Sequence, residues 1–270
     1  MSPSVEALAQ VFAARERSYR QSLLAASALL AVSEFAKRMY VAHGYPADRI
    51  SVVPISTPTL DRIQWRQRRF TGYPIRFGFV GRVSPFKGAH VLAAAMRGVA
   101  PDLAEFHFFG SVRPEDRRYL LNLSGCHPGA VFHGGYDQRD LPQILDRIDV
   151  LILPSIMQET ICLVGLEAQA AGLPIIGADV GAIPEYVHHG FNGLLFEAAN
   201  PASLRAQIET VLAEPALVDQ YSSRVSPPRK MDAHVDELLT LYRAVRERAS
   251  TARDPLSVGS CSREGRGDAL

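Results

Sequence analysis

Residues 149–174 read DVLILPSIMQETICLVGLEAQAAGLP, and this stretch decides the fold. Positions 150–153 form an unbroken apolar run of strand length, closed by Pro154. Positions 163–171 have helical character, Gly172 stops that helix, and a second apolar run begins at 174. A strand with no polar alternate is covered on both faces, and two such strands joined through a helix lie parallel. The unit is therefore strand, loop, helix, strand, with a polar loop at 154–162.

The same alternation extends outward. Strands are expected at 75–80, 105–109, 131–133, 150–153, 174–177 and 193–196, with helices at 88–96, 114–121, 140–147, 163–171, 183–187 and 201–212. This is an α/β, doubly wound parallel sheet. Ligands of such sheets sit outside the carboxyl ends of the strands, so the loops at 81–88, 110, 134–136 and 154–162 are expected to share one crevice. Ahead of the sheet come a helix at 5–26, a strand at 28–32, a helix at 34–43 capped by Ser33, and a strand at 50–53. Residues 54–73, with Pro54, Pro58 and an arginine cluster but no period, read as a linker or hinge. Regularity fades after Pro215, and a last amphipathic helix occupies 231–248. The expected domains are 1–72, 73–216 and 217–249, followed by a disordered tail at 250–270.

Composition narrows the function. The 270 residues are 47% hydrophobic, and 29 basic against 28 acidic side chains leave no electrostatic case for coating a nucleic acid. Ten basic and five acidic residues in 1–72 read more simply as a solvated helix face and basic linker than as an anchor for an anionic surface. Three scattered cysteines, Cys126, Cys162 and Cys261, fit neither a disulfide framework nor a metal cage, so a reducing cytosol and no metal are expected. The most apolar early run, 23–32, is about half the roughly twenty residues of a membrane span, and Glu6, Arg15, Glu16 and Arg17 stand where a signal peptide would be apolar.

Two loops could carry chemistry. In the first, strand 75–80 ends at Gly81, and Arg82 and Lys87 lead to a helix opening at Gly88. Glycine admits an anion to the backbone, a helix amino end favours it, and two cations suit a diphosphate; a tight turn with two solvated cations is an equal reading of this loop alone. In the second, Glu159 lies in the loop and Glu167 one to two turns inside an apolar helix, where a carboxylate needs a partner such as a ribose diol. Taken alone, Glu167 reads more simply as an exposed helix residue. Cys162 sits at a helix amino end, which favours its thiolate, but no base histidine pairs with it. His133, His188 and His189 read as structural. No Gly-x-Gly-x-x-Gly follows a strand, which disfavours a dinucleotide oxidoreductase.

With both motifs in this order on this framework, the chain resembles the donor-binding half of family 4 (group 1) glycosyltransferases of GT-B fold, from about Ser27 to Arg248. The resemblance rests on Gly81-Arg82 with Lys87-Gly88 and on the pair Glu159 and Glu167. Secondary matches are 149–155, 181–185, 190–193 and the last helix with Tyr242. It implies a Rossmann-like domain in which Arg82 and Lys87 bind the donor diphosphate, Glu159 holds sugar hydroxyls and Glu167 the nucleotide ribose. Gly81, the amides of Thr160, Ile161, Cys162 and Leu163, and Gly110 complete the donor site, with 134–136 walling the base. Glu159, Arg82 and Lys87 would carry catalysis, without a metal or cofactor beyond the nucleotide-diphosphate sugar, and with retention of anomeric configuration.

Most of the family's N-terminal acceptor domain has no counterpart, and 54–58 (PISTP) replaces its usual asparagine-glycine turn. Two strands without neighbours make a poor sheet, so residues 1–53 are expected to be mobile or docked on a partner. Two functions follow: hexosyl transfer to a polysaccharide or lipid-linked acceptor in the cytoplasm or at the inner membrane face, or a non-catalytic nucleotide-sugar-binding module or half of a split enzyme. Partners would be the donor, the acceptor, and a membrane surface or a chain supplying the missing domain.

Overall fold

The computed structural model describes residues 4–113 and 125–252. The helix expected at 114–121, the tail beyond 252 and Cys261 lie outside the described residues. The chain divides into two compact units, one of Leu29–His234 and one of Met1–Ala28 with Val235–Leu270. In the second, α1 (Val5–Ala25) is capped by Ser4, whose side chain accepts from the amide of Ala7, and none of its residues is buried. The last helix, α9 (Met231–Ala252), runs past 250 to the end of the described chain. No helix among the described residues is long and apolar enough to cross a membrane.

The first unit holds a six-stranded sheet in the order β5-β4-β3-β6-β7-β8: β3 (Ile75–Val80), β4 (Ala104–Phe109), β5 (Ala130–Gly134), β6 (Val150–Leu153), β7 (Ile175–Ala178) and β8 (Gly193–Phe196). Every pairing is parallel. From β3 the chain adds β4 and β5 on one side, then returns to add β6, β7 and β8 on the other, so the order reverses between β3 and β6. The central β6 and β7 are apolar throughout because both faces are covered. In β6, Val150 and Ile152 enter one core and Leu151 and Leu153 the other. The remaining helices of this unit are α2 (Glu34–Ala42), α3 (Pro58–Arg62), α4 (Ala89–Ala95), α5 (Leu141–Leu145), α6 (Leu163–Ala170), α7 (Pro201–Ala213) and α8 (Ala216–Ser223). The stretch expected as helix at 183–187 is a single 3-10 turn, Ile183–Glu185.

Three readings of the sequence are corrected. Residues 54–73 are not a free linker: Pro58 opens α3, and Leu60 and Ile63 are buried in the core beside α6. The Trp65 indole donates to the carbonyl of Val225 (3.2 Å), and the Phe70 amide to Asp219 (2.8 Å). Arg68, read as part of a solvated basic cluster, donates from Nε and Nη2 to the Ala171 carbonyl (3.2 and 3.1 Å), capping the carboxyl end of α6. Residues 217–223, placed with the C-terminal crossing helix, belong to α8, whose Leu217, Val218 and Tyr221 are buried in the same core as β3. The compact unit thus runs across both residue 72 and residue 216.

The third concerns the front segment. Strands β1 (Leu29–Ala31) and β2 (Ile50–Val52) form a two-stranded parallel sheet of their own, but they lie in the same compact unit as the six-stranded sheet. Polar contacts from the amino end of α2 reach residues 160 and 185, so within Leu29–Val52 the segment is docked on this chain's own loops.

Glycines decide how closely the strand ends approach. Gly88 caps α4 with φ +70°, and a Cβ there would lie 1.7 Å from the carbonyl oxygen of Pro154 at the end of β6. Gly88→Ala is expected to cost several kcal/mol, combining a left-handed backbone with a backbone clash, and to lower the urea midpoint with little change in slope. An unchanged midpoint would show that the β3 and β6 loops have room to part.

Candidate functional site

At the reversal between β3 and β6 lies a cavity of about 320 Å³. Its floor is the carboxyl ends of the two strands, Phe79 to Gly81 and Ile152 to Ser155. One wall is the loop and first turn of α6, and the other carries Tyr136 and Gln138. The topology alone puts the opening here, since neighbouring loops diverge to opposite faces of the sheet.

Two acids enter this cavity from one loop-helix segment. Glu159 is buried, and its Oε1 accepts from Lys87 Nζ (2.5 Å) and from Ser155 Oγ (2.7 Å). Its backbone is fixed as well, because its carbonyl accepts from the Ala182 amide (2.9 Å), and a Cβ on Gly181 would sit 2.4 Å from that oxygen. Glu167 projects from α6, which the apolar 163–170 sequence buries on most sides, and is itself buried at 5% exposure. Its Oε1 accepts from Gln138 Nε2 (2.9 Å), and burial pushes its carboxyl up to about 7. The exposed-helix reading of Glu167 is therefore set aside.

Of the residues expected in the site, Gly81, Lys87, Glu159, Ile161, Cys162, Leu163 and Glu167 line this one cavity. Arg82 lines a neighbouring cavity of about 560 Å³ with Ser84, Pro85, Phe86, Arg113 and Met157, and Lys87 belongs to both. Gly110 lines neither; its φ of +159° and missing Cβ let the end of β4 pass the Gly81 carbonyl, which a Cβ would meet at 1.7 Å. Thr160 lines neither, and its carbonyl accepts from Ser33 Oγ (2.6 Å). Of the wall expected at 134–136, Tyr136 lines the cavity at the sheet reversal.

Cys162 corrects a sequence expectation. It does precede the first turn of α6, yet it is buried, and desolvation together with the Glu159 carboxylate pushes its thiol up to about 11. The helix end does not compensate for burial. At pH 8, alkylation of Cys162 in the native chain is expected to run about a hundredfold or more slower than in the denatured chain. Equal rates would refute its burial. The histidines serve structure: the His188 amide donates to Asn192 Oδ1 (2.7 Å), His189 Nδ1 accepts from the Leu195 amide (3.0 Å), and His133 stacks on Phe109 with ring centroids 4.1 Å apart. Among the described residues no cluster of three or more His, Cys, Asp or Glu could hold a metal ion.

Sequence reasoning did not find Gln138 or Ser155. Gln138 is 29 residues from its partner Glu167, in a different loop, and no spacing announces it. Ser155 stands four residues before Glu159, a separation that outside a helix carries no contact information.

A parallel sheet reversing at its centre, with a cation and two acids in the crevice, is a doubly wound α/β unit with a ligand-sized cleft at its switch point. The family model described as Glycosyl transferases group 1 matches residues 74–214, and the chain belongs to this family. It is 33% identical over 216 residues to the D-inositol 3-phosphate glycosyltransferase of Corynebacterium efficiens, covering 73% of this chain and 51% of that protein. It is also 33% identical over 149 residues to spore coat protein SA of Bacillus subtilis, covering 50% of this chain and 38% of that protein. The chain spans about half the length of the first of these relatives. Among solved structures it shares its fold with Anabaena HepE in complex with UDP and glucose, at a TM-score of 0.68 and 19% identity over 87% of this chain and 66% of that one. The sucrose-phosphate synthase of Thermosynechococcus elongatus aligns with a TM-score of 0.71 and 22% identity, over 84% of this chain and 60% of that one. The chain thus shares the Rossmann-like α/β fold of GT-B glycosyltransferases.

Proposed function

We propose that this chain binds a nucleotide-diphosphate sugar and supplies the donor-side machinery for hexosyl transfer, without a metal, to a saccharide or lipid-linked acceptor. The observation that carries the reading is the convergence of Lys87, Glu159 and Glu167 in one cavity at the sheet reversal. Lys87 spends one of its three N–H donors on Glu159, which leaves others for a diphosphate. Arg82, in the adjoining cavity that Lys87 also lines, reaches the same group from the other side. Both side-chain hydrogen bonds to Glu159 fall on Oε1, so Oε2 is left to accept from a sugar hydroxyl. Glu167, deeper along α6, and Gln138, facing it from the 138–140 turn, offer an acceptor and a donor to the ribose diol, and Tyr136 borders the base.

Transfer requires charge to build on the departing diphosphate. The cations of Lys87 and Arg82 and the amino end of α6 stand ready for it, and groups positioned before charge develops need not reorganise to stabilise it. Retention of anomeric configuration is taken into this reading from the family resemblance. The supporting similarity is that HepE, a neighbour in fold, holds UDP and glucose.

Calorimetry of the full chain with UDP-, GDP- and ADP-glucose tests this. Saturable binding of one donor is the expected result, and no heat with any of them at millimolar ligand overturns the reading. Binding without donor hydrolysis or transfer would identify a non-catalytic nucleotide-sugar module or a half that needs a partner chain.

A further inference from the structure

The polar contacts between the front segment and the sheet unit converge on the two loops that hold Glu159. Ser33 caps α2, accepting from the Ala36 amide through Oγ (3.0 Å), and the same hydroxyl donates to the carbonyl of Thr160 (2.6 Å). The next two amides of α2, those of Glu34 and Phe35, donate to the carboxylate of Glu185 (2.9 and 2.5 Å), with Arg38 3.7 Å from the same group. Glu185 ends the 3-10 turn Ile183–Glu185, and the residue before that turn, Ala182, donates its amide to the Glu159 carbonyl. One helix end therefore grips Glu159 from both sides: directly at the next residue of its loop, and through the 181–185 turn on which its backbone rests.

We propose that Ser33 and Glu185 are positioning residues, through which the amino end of α2 holds the Glu159 loop so that the carboxylate meets Lys87 and Ser155. The sequence supports this economy of means. A hydroxyl can cap a helix and still donate its proton elsewhere, which a carboxylate cap cannot do. A carboxylate on two helix amides is a charge-assisted contact with defined direction, unlike a lysine pair at the surface. Ser33 is buried, so water does not compete for its proton. This role rests on the donor reading for its consequence, while the mechanical link to the loop stands independently of it.

Amide hydrogen exchange on the full chain reads the link directly, and calorimetry with UDP-glucose reads its consequence. Ser33→Asp retains a helix cap but has no proton for Thr160; Ser33→Thr retains both. Ser33→Asp and Glu185→Gln are expected to speed exchange across residues 159–165 about tenfold or more, with exchange in α2 of the aspartate variant near that of the parent, and Ser33→Thr to restore the slow pattern. Donor affinity is expected to fall with loop exchange, variant by variant. Unchanged exchange at 159–165 in both Ser33→Asp and Glu185→Gln overturns the proposal, whatever the calorimetry shows. Faster exchange in a chain whose parent binds no nucleotide sugar supports the splint and removes only the donor reading. Should Glu185→Gln fail to fold, the Ser33 pair decides the matter.

Discussion

Lys87→Ala is expected to lower donor turnover by about a hundredfold or more and to destabilise the chain by about 1–3 kcal/mol. The two effects have different origins, and only the second lies in the 2.5 Å contact with Glu159, in which the lysine side chain is 29% exposed and the carboxylate side chain 9%. In turnover, the lost ammonium no longer meets charge developing on the leaving diphosphate, a penalty of a few kcal/mol for one electrostatic contact. In stability, Glu159 is left buried with the Ser155 hydroxyl alone, and the partly exposed lysine keeps the cost below that of breaking a fully buried pair. The two effects separate in a double-mutant cycle. Glu159→Gln added to Lys87→Ala should recover stability, because no unpaired charge remains, but not turnover. Recovery of both would mean that Lys87 serves only to neutralise Glu159, and a single mutant with parental turnover would remove Lys87 from the donor site.

The parts of this site visible in the sequence are those set by local chemistry. Strands 75–80, 150–153 and 193–196 coincide with β3, β6 and β8 because buried strands carry largely apolar runs that turn residues close sharply. The spacing of Glu159 and Glu167 was readable because one helix start fixes both. What escaped depends on distant partners. Residues 58–63 offer only Leu60 and Ile63 to a core, too few to make a period, and the order of the segment comes from Val225, Ala171 and Asp219 far along the chain. In Cys162 the local rule gave the wrong sign, since helix position favours a thiolate and burial disfavours it more. The docking of α2 was invisible for a related reason: the carboxylate that meets its amides comes from Glu185, about 150 residues away. A cap residue announces the start of a helix, but not the loop on which that start rests.

Glu167 presents the opposite trade from Lys87, and Glu167→Gln is expected to stabilise the unliganded chain above pH 7 while weakening nucleotide binding. Its carboxyl rises from an ordinary 4.5 to about 7 because burial disfavours the charge, with only the Gln138 amide opposing. Between those two values the folded chain holds a proton that the unfolded chain has released, so folding stability falls as pH rises through the window, by about 1.4 kcal/mol per unit and about 3–4 kcal/mol in all. Glutamine has the same shape, still accepts from Gln138 Nε2 through its carbonyl oxygen, and never charges. It should therefore remove the loss, raising Tm at pH 8 by roughly 5–8 °C and leaving it nearly unchanged at pH 5. For the ligand the preference reverses. A carboxylate accepts from both hydroxyls of a ribose more strongly than an amide does, so UDP affinity should fall about tenfold or more, and in the parent it should improve as pH rises through 7. A glutamine variant that is less stable at pH 8 would require a cationic partner for Glu167 that the structure does not contain. One that binds UDP as the parent does would leave the buried charge without a purpose. The combination expected here, a stabler chain that binds less well, is what marks a buried carboxylate retained for a ligand and not for the fold.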